Sequence, residues 1–193
     1  MIKRGQSLIE LLIAMTVIIV GLSAVGTMIF SNMRLQERST DRLVASNLAR
    51  EGVELAKAVR DSNWVEGGAT AFDEGLAVGV DITAVPHFAG NGTFINFSFI
   101  PDVLADEEAI IYRSDDAQSI GLFTQGPTAS GAVSLYRRLL TFSPICSDFT
   151  TRSTGNGCNP MAKIGIRVMS QVQWTRRGVM YTSTVEDDVF DWR

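Results

Sequence analysis

The hydrophobic pattern of this chain changes its period along the sequence. Residues 11–30 contain no charge, and at about 1.5 Å of helix per residue they are long enough to cross a bilayer core of roughly 30 Å. After Phe30 the apolar positions keep a helical spacing but occupy one face, at Val44, Leu48, Leu55 and Val59. We predict one helix over residues 6–62, with a membrane-spanning first half and a second half packed on a sheet.

From residue 67 onward the pattern alternates with a period of two. The predicted strand segments are residues 77–82, 94–100, 119–124, 133–142, 164–174 and 180–185. Most even positions from Ile164 to Trp174 are apolar and their neighbours are mostly polar, which is typical of antiparallel strands with one buried face. The predicted fold class is therefore α+β, a long amino-terminal helix on an antiparallel sheet of four to six strands.

The charged residues predict the orientation of the chain in the membrane and the kind of partner that it binds. The formal net charge is −4, and this acidic overall balance argues against nucleic-acid binding as the primary function; no nucleic-acid motif is present. Lys3 and Arg4 precede the apolar run, so the positive-inside rule places the amino terminus in the cytoplasm. We expect a single-pass membrane protein whose residues after Phe30 lie outside the cytoplasm.

Glu10, at the start of the apolar run, separates three interpretations of this segment. The apolar core of a secretory signal is about 7–15 residues long, shorter than this run. A plain signal anchor accounts for the run, but it leaves a carboxylate in a spanning segment, which costs about 2.5–3.5 kcal/mol on insertion scales unless the interface tolerates it. The third interpretation gives Glu10 a role.

Residues 3–10, Lys-Arg-Gly-Gln-Ser-Leu-Ile-Glu, resemble the class III signal of type IV prepilins and pseudopilins. The resemblance implies that a membrane prepilin peptidase cleaves between Gly5 and Gln6 and can methylate the new amino terminus at Gln6. The family usually has Phe or Met at that position, so Gln6 is a departure. The new amino group and Glu10 can pair within one subunit or between neighbouring subunits, and the resemblance implies pairing between neighbours in the filament.

The same resemblance implies a pilin-like organisation. Residues 1–5 are the leader, 6–30 the membrane and filament-core half of the helix, 31–63 its amphipathic half, and 64–193 an extracytoplasmic sheet domain. The helix end at residues 50–64 is similar to that of PilV-type minor pilins. The implied partners are other pilin subunits through the helix, the prepilin peptidase, an inner-membrane assembly platform and, before assembly, membrane lipid.

Three functions are therefore open. The first is a minor structural subunit of a type IV pilus, which leaves the membrane for an extracellular filament. The second is a minor pseudopilin of a type II secretion system. The third, of another class, is a membrane-tethered binding module, such as an adhesin or a DNA receptor.

Two cysteines, Cys146 and Cys158, lie in the part of the chain expected outside the cytoplasm. The eleven residues between them are polar and rich in Gly, Ser and Thr, which suits a surface loop. Two thiols without a nearby histidine make a poor metal site. The pattern favours a disulfide over two free thiols.

Side chains for catalysis are scarce. His87 is the only histidine and is expected at the surface or in a loop, without a recognisable nucleophile motif. The acidic clusters at residues 106–108, 115–116 and 186–188 lack the spacing of an EF-hand and are expected to be solvated turns, although a calcium site stays open. We expect no enzymatic activity, cofactor or metal.

Overall fold

The computed structural model describes residues 8–66, 71–76, 80–89, 94–115, 121–126, 129, 131–152 and 157–191. The chain forms two compact units, one ending at Leu43 and the other beginning at Val44. Within the first unit, every described residue is helical. The second unit contains the rest of the same helix and an antiparallel sheet.

Helix α1 runs from Leu8 to Val65, three residues beyond the predicted end. Its buried positions in the second unit recur at one-turn intervals and are mostly small or apolar; they include Ala45, Leu48, Ala49, Gly52, Val53 and Ala56. This stripe is the face that packs on the sheet; of the positions that the apolar spacing predicted, Leu48 is buried, and Val44, Leu55 and Val59 are half-buried against the same core.

Seven strands and one short 3₁₀ helix, η1 (Glu107–Ala109), follow α1 in the described residues. The strands are β1 (Ile82–Ala89), β2 (Phe94–Ser98), β3 (Ile110–Arg113), β4 (Phe123–Gln125), β5 (Ala132–Cys146), β6 (Lys163–Arg176) and β7 (Val179–Phe190). The pairings between them are antiparallel.

The long strand β5 is the centre of the sheet. One edge of β5 pairs with β6 from Tyr136 to Cys146, and β7 continues the sheet beyond β6. The other edge is shared, because β3 pairs with the first part of β5 while β1 pairs with residues Leu140 to Phe142. Strands β4 and β2 extend β3 and β1 outward.

The core between α1 and the sheet contains two apolar clusters. The amino-side cluster joins Ala45, Leu48 and Ala49 to Ile111, Tyr136, Val172 and Trp174. The carboxyl-side cluster joins Val53 and Ala56 to residues that include Leu140, Phe142, Ile166, Val168 and Val189. The even positions of β6 from Ile166 to Trp174 are buried, as their alternation predicted.

The structure differs from the sequence expectations at the end of α1 and in five further places. The described part of the sheet has seven strands instead of four to six. Strand β1 begins only at Ile82, where the predicted segment ends, and residues 77–79 of that segment lie outside the described part. Strand β3 was not predicted. His87, expected in a loop or at the surface, is half-buried within β1. Residues 186–188 belong to β7 instead of a turn.

The amino-terminal helix as candidate functional site

The first half of α1 is an exposed apolar rod. The fifteen large apolar side chains between Leu8 and Phe30 are 53 to 78% exposed. The helix is long and apolar enough to cross a membrane, and none of its most apolar stretch is buried within the protein. An exposed apolar surface of this size is typical of a site that contacts lipid or another protein.

The polar side chains of the rod form hydrogen bonds within the helix. The only polar side chains in residues 11–30 are the hydroxyls of Thr16, Ser23 and Thr27. Each donates a hydrogen bond of 2.7 to 2.8 Å to a carbonyl oxygen three or four residues earlier in the helix. Such back-bonding satisfies a hydroxyl in an environment without water. The segment is therefore suited to lipid or to an apolar protein interior.

Glu10 lies at the amino-terminal end of this rod, on an exposed part of α1. It is the one acidic residue between Leu8 and Phe30. No ion pair involves it among the residues that the structure describes. The predicted cleavage residues Gly5 and Gln6 lie outside the described residues.

The predicted disulfide is present at the end of the second unit where β5 finishes. Cys146 and Cys158 are bonded, with their Cα atoms 5.3 Å apart. The bond joins the last residue of β5 to the connection that leads into β6. In the chain-entropy model a crosslink over a loop of this length contributes roughly 3 kcal/mol.

The turn that follows β5 is fixed by hydrogen bonds as well as by the disulfide. The Asp148 carboxylate accepts bonds from the backbone N–H and the hydroxyl of Thr150, which lower the pKa of Asp148. Arg152 pairs with the other carboxylate oxygen at 3.1 Å. Phe149 occupies the left-handed region, with φ of 60°, and is 76% exposed.

A buried arginine links α1 to the sheet, and sequence reasoning missed it. Arg138 on β5 is only 4% exposed; its Nε donates to Gln125 Oε1 at 2.9 Å and its Nη1 to the carbonyl oxygen of Leu48 at 3.0 Å. Glu51 Oε2 lies 3.5 Å from the same Nη1. Burial lowers the pKa of Arg138, and the Glu51 carboxylate opposes that shift. Arg138 alternates with Tyr136 and Leu140 along the strand, and this spacing could have indicated that its side chain lies on the buried face.

A second charged contact between helix and sheet lies nearer the end of α1. Lys57 Nζ is 2.7 Å from Asp187 Oδ2 on β7 and 3.1 Å from Glu54 Oε1. The hydrogen bond from Lys57 is the main cause that lowers the pKa of Asp187. Asp188, beside it, makes a two-pronged pair with Arg167 on β6.

The described residues hold no group of three or more His, Cys, Asp and Glu side chains that is placed to bind a metal ion. His87 pairs through its backbone with Asn96 in the β1–β2 ladder.

Comparison of the chain with protein-family models, with curated proteins and with solved structures finds no match.

Proposed function

We propose that this protein is a minor structural subunit of a type IV pilus, processed between Gly5 and Gln6 and assembled through α1. The observation that carries the proposal is the exposed apolar rod joined to a compact antiparallel domain. Burying one large apolar side chain is worth about 1.5–3 kcal/mol. Covering the rod is therefore worth on the order of tens of kcal/mol, and lipid and helices of other subunits are both suitable covers.

The position of Glu10 favours transfer from lipid into a filament. A carboxylate in hydrocarbon is expensive unless it is paired. Cleavage after Gly5 creates an amino group four peptide bonds before Glu10, and the same group on a neighbouring copy is a counter-charge of suitable chemistry. Pairing in the filament removes a penalty that the isolated subunit carries in the membrane, so assembly is favoured at the stage where the helix leaves lipid.

The test measures how much of the subunit enters sheared filaments, as a fraction of the amount in the membrane. Glu10→Ala is expected to lower this fraction strongly while the membrane amount stays similar. Glu54→Ala, which removes an exposed carboxylate from the same helix, is the matched control and is expected to behave like the unaltered chain.

Three outcomes contradict the proposal. Equal incorporation of the Glu10→Ala and Glu54→Ala variants would remove the role assigned to Glu10. Recovery of the unaltered protein only from membranes, under conditions in which the host makes filaments, would favour the tethered binding module. Recovery with secretion machinery instead of surface filaments would identify a pseudopilin.

A further inference from the structure

Strand β7 lies at one edge of the sheet and is the longest of its outer strands. Among the described strands it pairs only with β6, and this ladder covers all twelve residues of β7 without a shift of register. The outer strands at the other edges, β2 and β4, have five and three residues. Short strands and bulges normally protect a sheet edge against pairing with another chain, and β7 has neither protection.

The hydrogen bonds of β7 show which of its backbone groups point away from the sheet. The N–H of Asp191, just after β7, donates to the carbonyl oxygen of Ile164 on β6. Bonded and non-bonded pairs alternate along an antiparallel ladder, so every second residue from Met180 to Phe190 directs its N–H and C=O groups outward. The N–H of Asp188 is one of these groups, and it donates to the Asp187 carboxylate at 2.9 Å.

The outward edge of β7 is uncharged along its first half and acidic along its second half. Residues 179–185, Val-Met-Tyr-Thr-Ser-Thr-Val, carry no charge, glycine or proline, and most of them favour strands. Val179 and Met180 are 51 and 62% exposed. Residues 186–188 are all acidic, and there the Asp187 side chain occupies one outward donor. Because charge discourages pairing at an edge, the part of β7 that is open to another strand is 179–185.

The charges around this uncharged stretch fit a second copy of the chain that lies antiparallel to the first. Arg176 and Arg177 precede the stretch, and the acidic residues 186–188 follow it. If two β7 strands pair antiparallel about Thr182, the middle of the stretch, the arginines of each copy lie beside the acidic end of the other. A parallel pairing would place acidic residues beside acidic residues. Opposite charges across neighbouring strands are favourable and like charges are unfavourable.

We propose that the outer edge of β7 binds the same edge of a second copy, antiparallel and about a two-fold axis at Thr182. The ladder between the copies spans residues 180–184 of each, with Met180 opposite Thr184. Stable interfaces have about 20–30 residues a side, so this contact is weak and forms where copies are held close together, as in a membrane. It uses the second unit alone and does not rest on the proposed pilus function.

Cysteine crosslinking of the full-length chain in membranes tests this contact. Thr182→Cys places two thiols opposite each other at the axis, where paired Cα atoms are about 5.5 Å apart, within the range of a disulfide. Thr184→Cys is the matched control on the same edge, because its two thiols would lie about 13 Å apart along the strands. Cys146 and Cys158 are bonded to each other, so each variant adds the only free thiol.

Mild oxidation should give about tenfold or more covalent dimer from Thr182→Cys than from Thr184→Cys. Copies that meet only through α1 would crosslink both positions equally. Peptide mass spectrometry identifies the crosslinked residues. Equal dimer yields from the two variants would overturn the proposal.

Charges placed at the axis give a second test that does not depend on a single variant. A chain with both Met180→Cys and Thr184→Cys should crosslink through these unlike positions. In that chain Thr182→Lys or Thr182→Glu places like charges opposite each other, and each should lower the dimer yield about fivefold or more. Production of the two variants in the same membrane should restore the yield as mixed dimers, which excludes misfolding as the cause of the loss. A loss that the mixture does not restore would contradict the pairing.

Discussion

Replacing Gly52 with alanine should weaken the second unit, although the same change normally strengthens a helix. An alanine in a helix interior is favoured over glycine by about 1 kcal/mol. Here the new Cβ atom would lie 2.6 Å from Ser170 Oγ and 3.3 Å from Leu140 Cδ1. Overpacking of a well-filled core costs about 1–3 kcal/mol, so the expected net loss of unfolding free energy is about 1 kcal/mol.

In a chain that also carries Ser170→Ala, Gly52→Ala should raise the unfolding free energy instead of lowering it. The Ser170 hydroxyl is fully buried and has no hydrogen-bond partner among the described residues, so its removal alone is expected to be neutral or slightly stabilising. Without that oxygen the closest contacts of the new Cβ are 3.3 Å, which small shifts relieve. The coupling free energy between Gly52→Ala and Ser170→Ala should therefore be about 1–2 kcal/mol.

The assay is urea unfolding of the full-length chain in detergent, followed by tryptophan fluorescence, for the parent, both single variants and the double variant. Gly21→Ala is the matched control: it changes the same helix at a position where a Cβ atom meets nothing within 4 Å, and it should not weaken the unit. Additive effects, with a coupling below about 0.5 kcal/mol, would refute the close approach at Gly52.

Other charged contacts and the disulfide give further predictions. Arg138→Met should lower the unfolding free energy by about 1–3 kcal/mol, because Gln125 Oε1 and the carbonyl oxygen of Leu48 lose a hydrogen-bond donor at a buried site. Arg167→Met, at an exposed pair, should lower it by less than about 1 kcal/mol in the same urea assay. The hydrogen bond from Lys57 lowers the pKa of Asp187 in the folded state. The Lys57–Asp187 contact therefore stabilises the fold above the unfolded-state pKa of about 3.9, and this stabilisation is lost as the pH falls through the lower folded-state pKa. Asp187→Asn should flatten that part of a curve of unfolding free energy against pH. Serines in place of both disulfide cysteines should lower the unfolding free energy by roughly 3 kcal/mol, and an unchanged midpoint would contradict the stabilising role of the bond.

The long periodic segments were predictable from the sequence. The helix carries its apolar pattern over many turns, and only its end was displaced, to Val65. Strand β6 alternates from Ile166 to Trp174 because one face meets α1 and the other does not. The turn before β7 carries Arg177 and Gly178, both with positive φ, as a two-residue hairpin turn requires.

Strand β1 escaped prediction because it changes partner along its length. Residues Ile82 to Ala84 pair with β5, whereas Val85 to Ala89 pair with β2. Pro86 lies in the second part, where its missing N–H is tolerated because the β5 pairing has already ended. In the sequence alone, Pro86 argues against a strand at this place. The pairing of the strands explains why the proline is compatible with β1.

The partners of the buried Arg138 could not be predicted from the sequence either. Its phase with Tyr136 and Leu140 points it toward α1, but a charged residue at an inward position has no evident partner in a linear sequence. Its partners come from Gln125 on β4 and from Leu48 and Glu51 on the helix, up to 90 residues away. Long-range polar networks of this kind become visible only when the elements are assembled.

The mature amino terminus tests the central claim most directly. The protein should be isolated from cells with an active prepilin peptidase, and its intact mass and amino-terminal peptide should be measured by mass spectrometry. The filament-subunit account predicts a chain that begins at Gln6 and lacks residues 1–5. A chain that retains the leader from Met1 to Gly5 in such cells would contradict it.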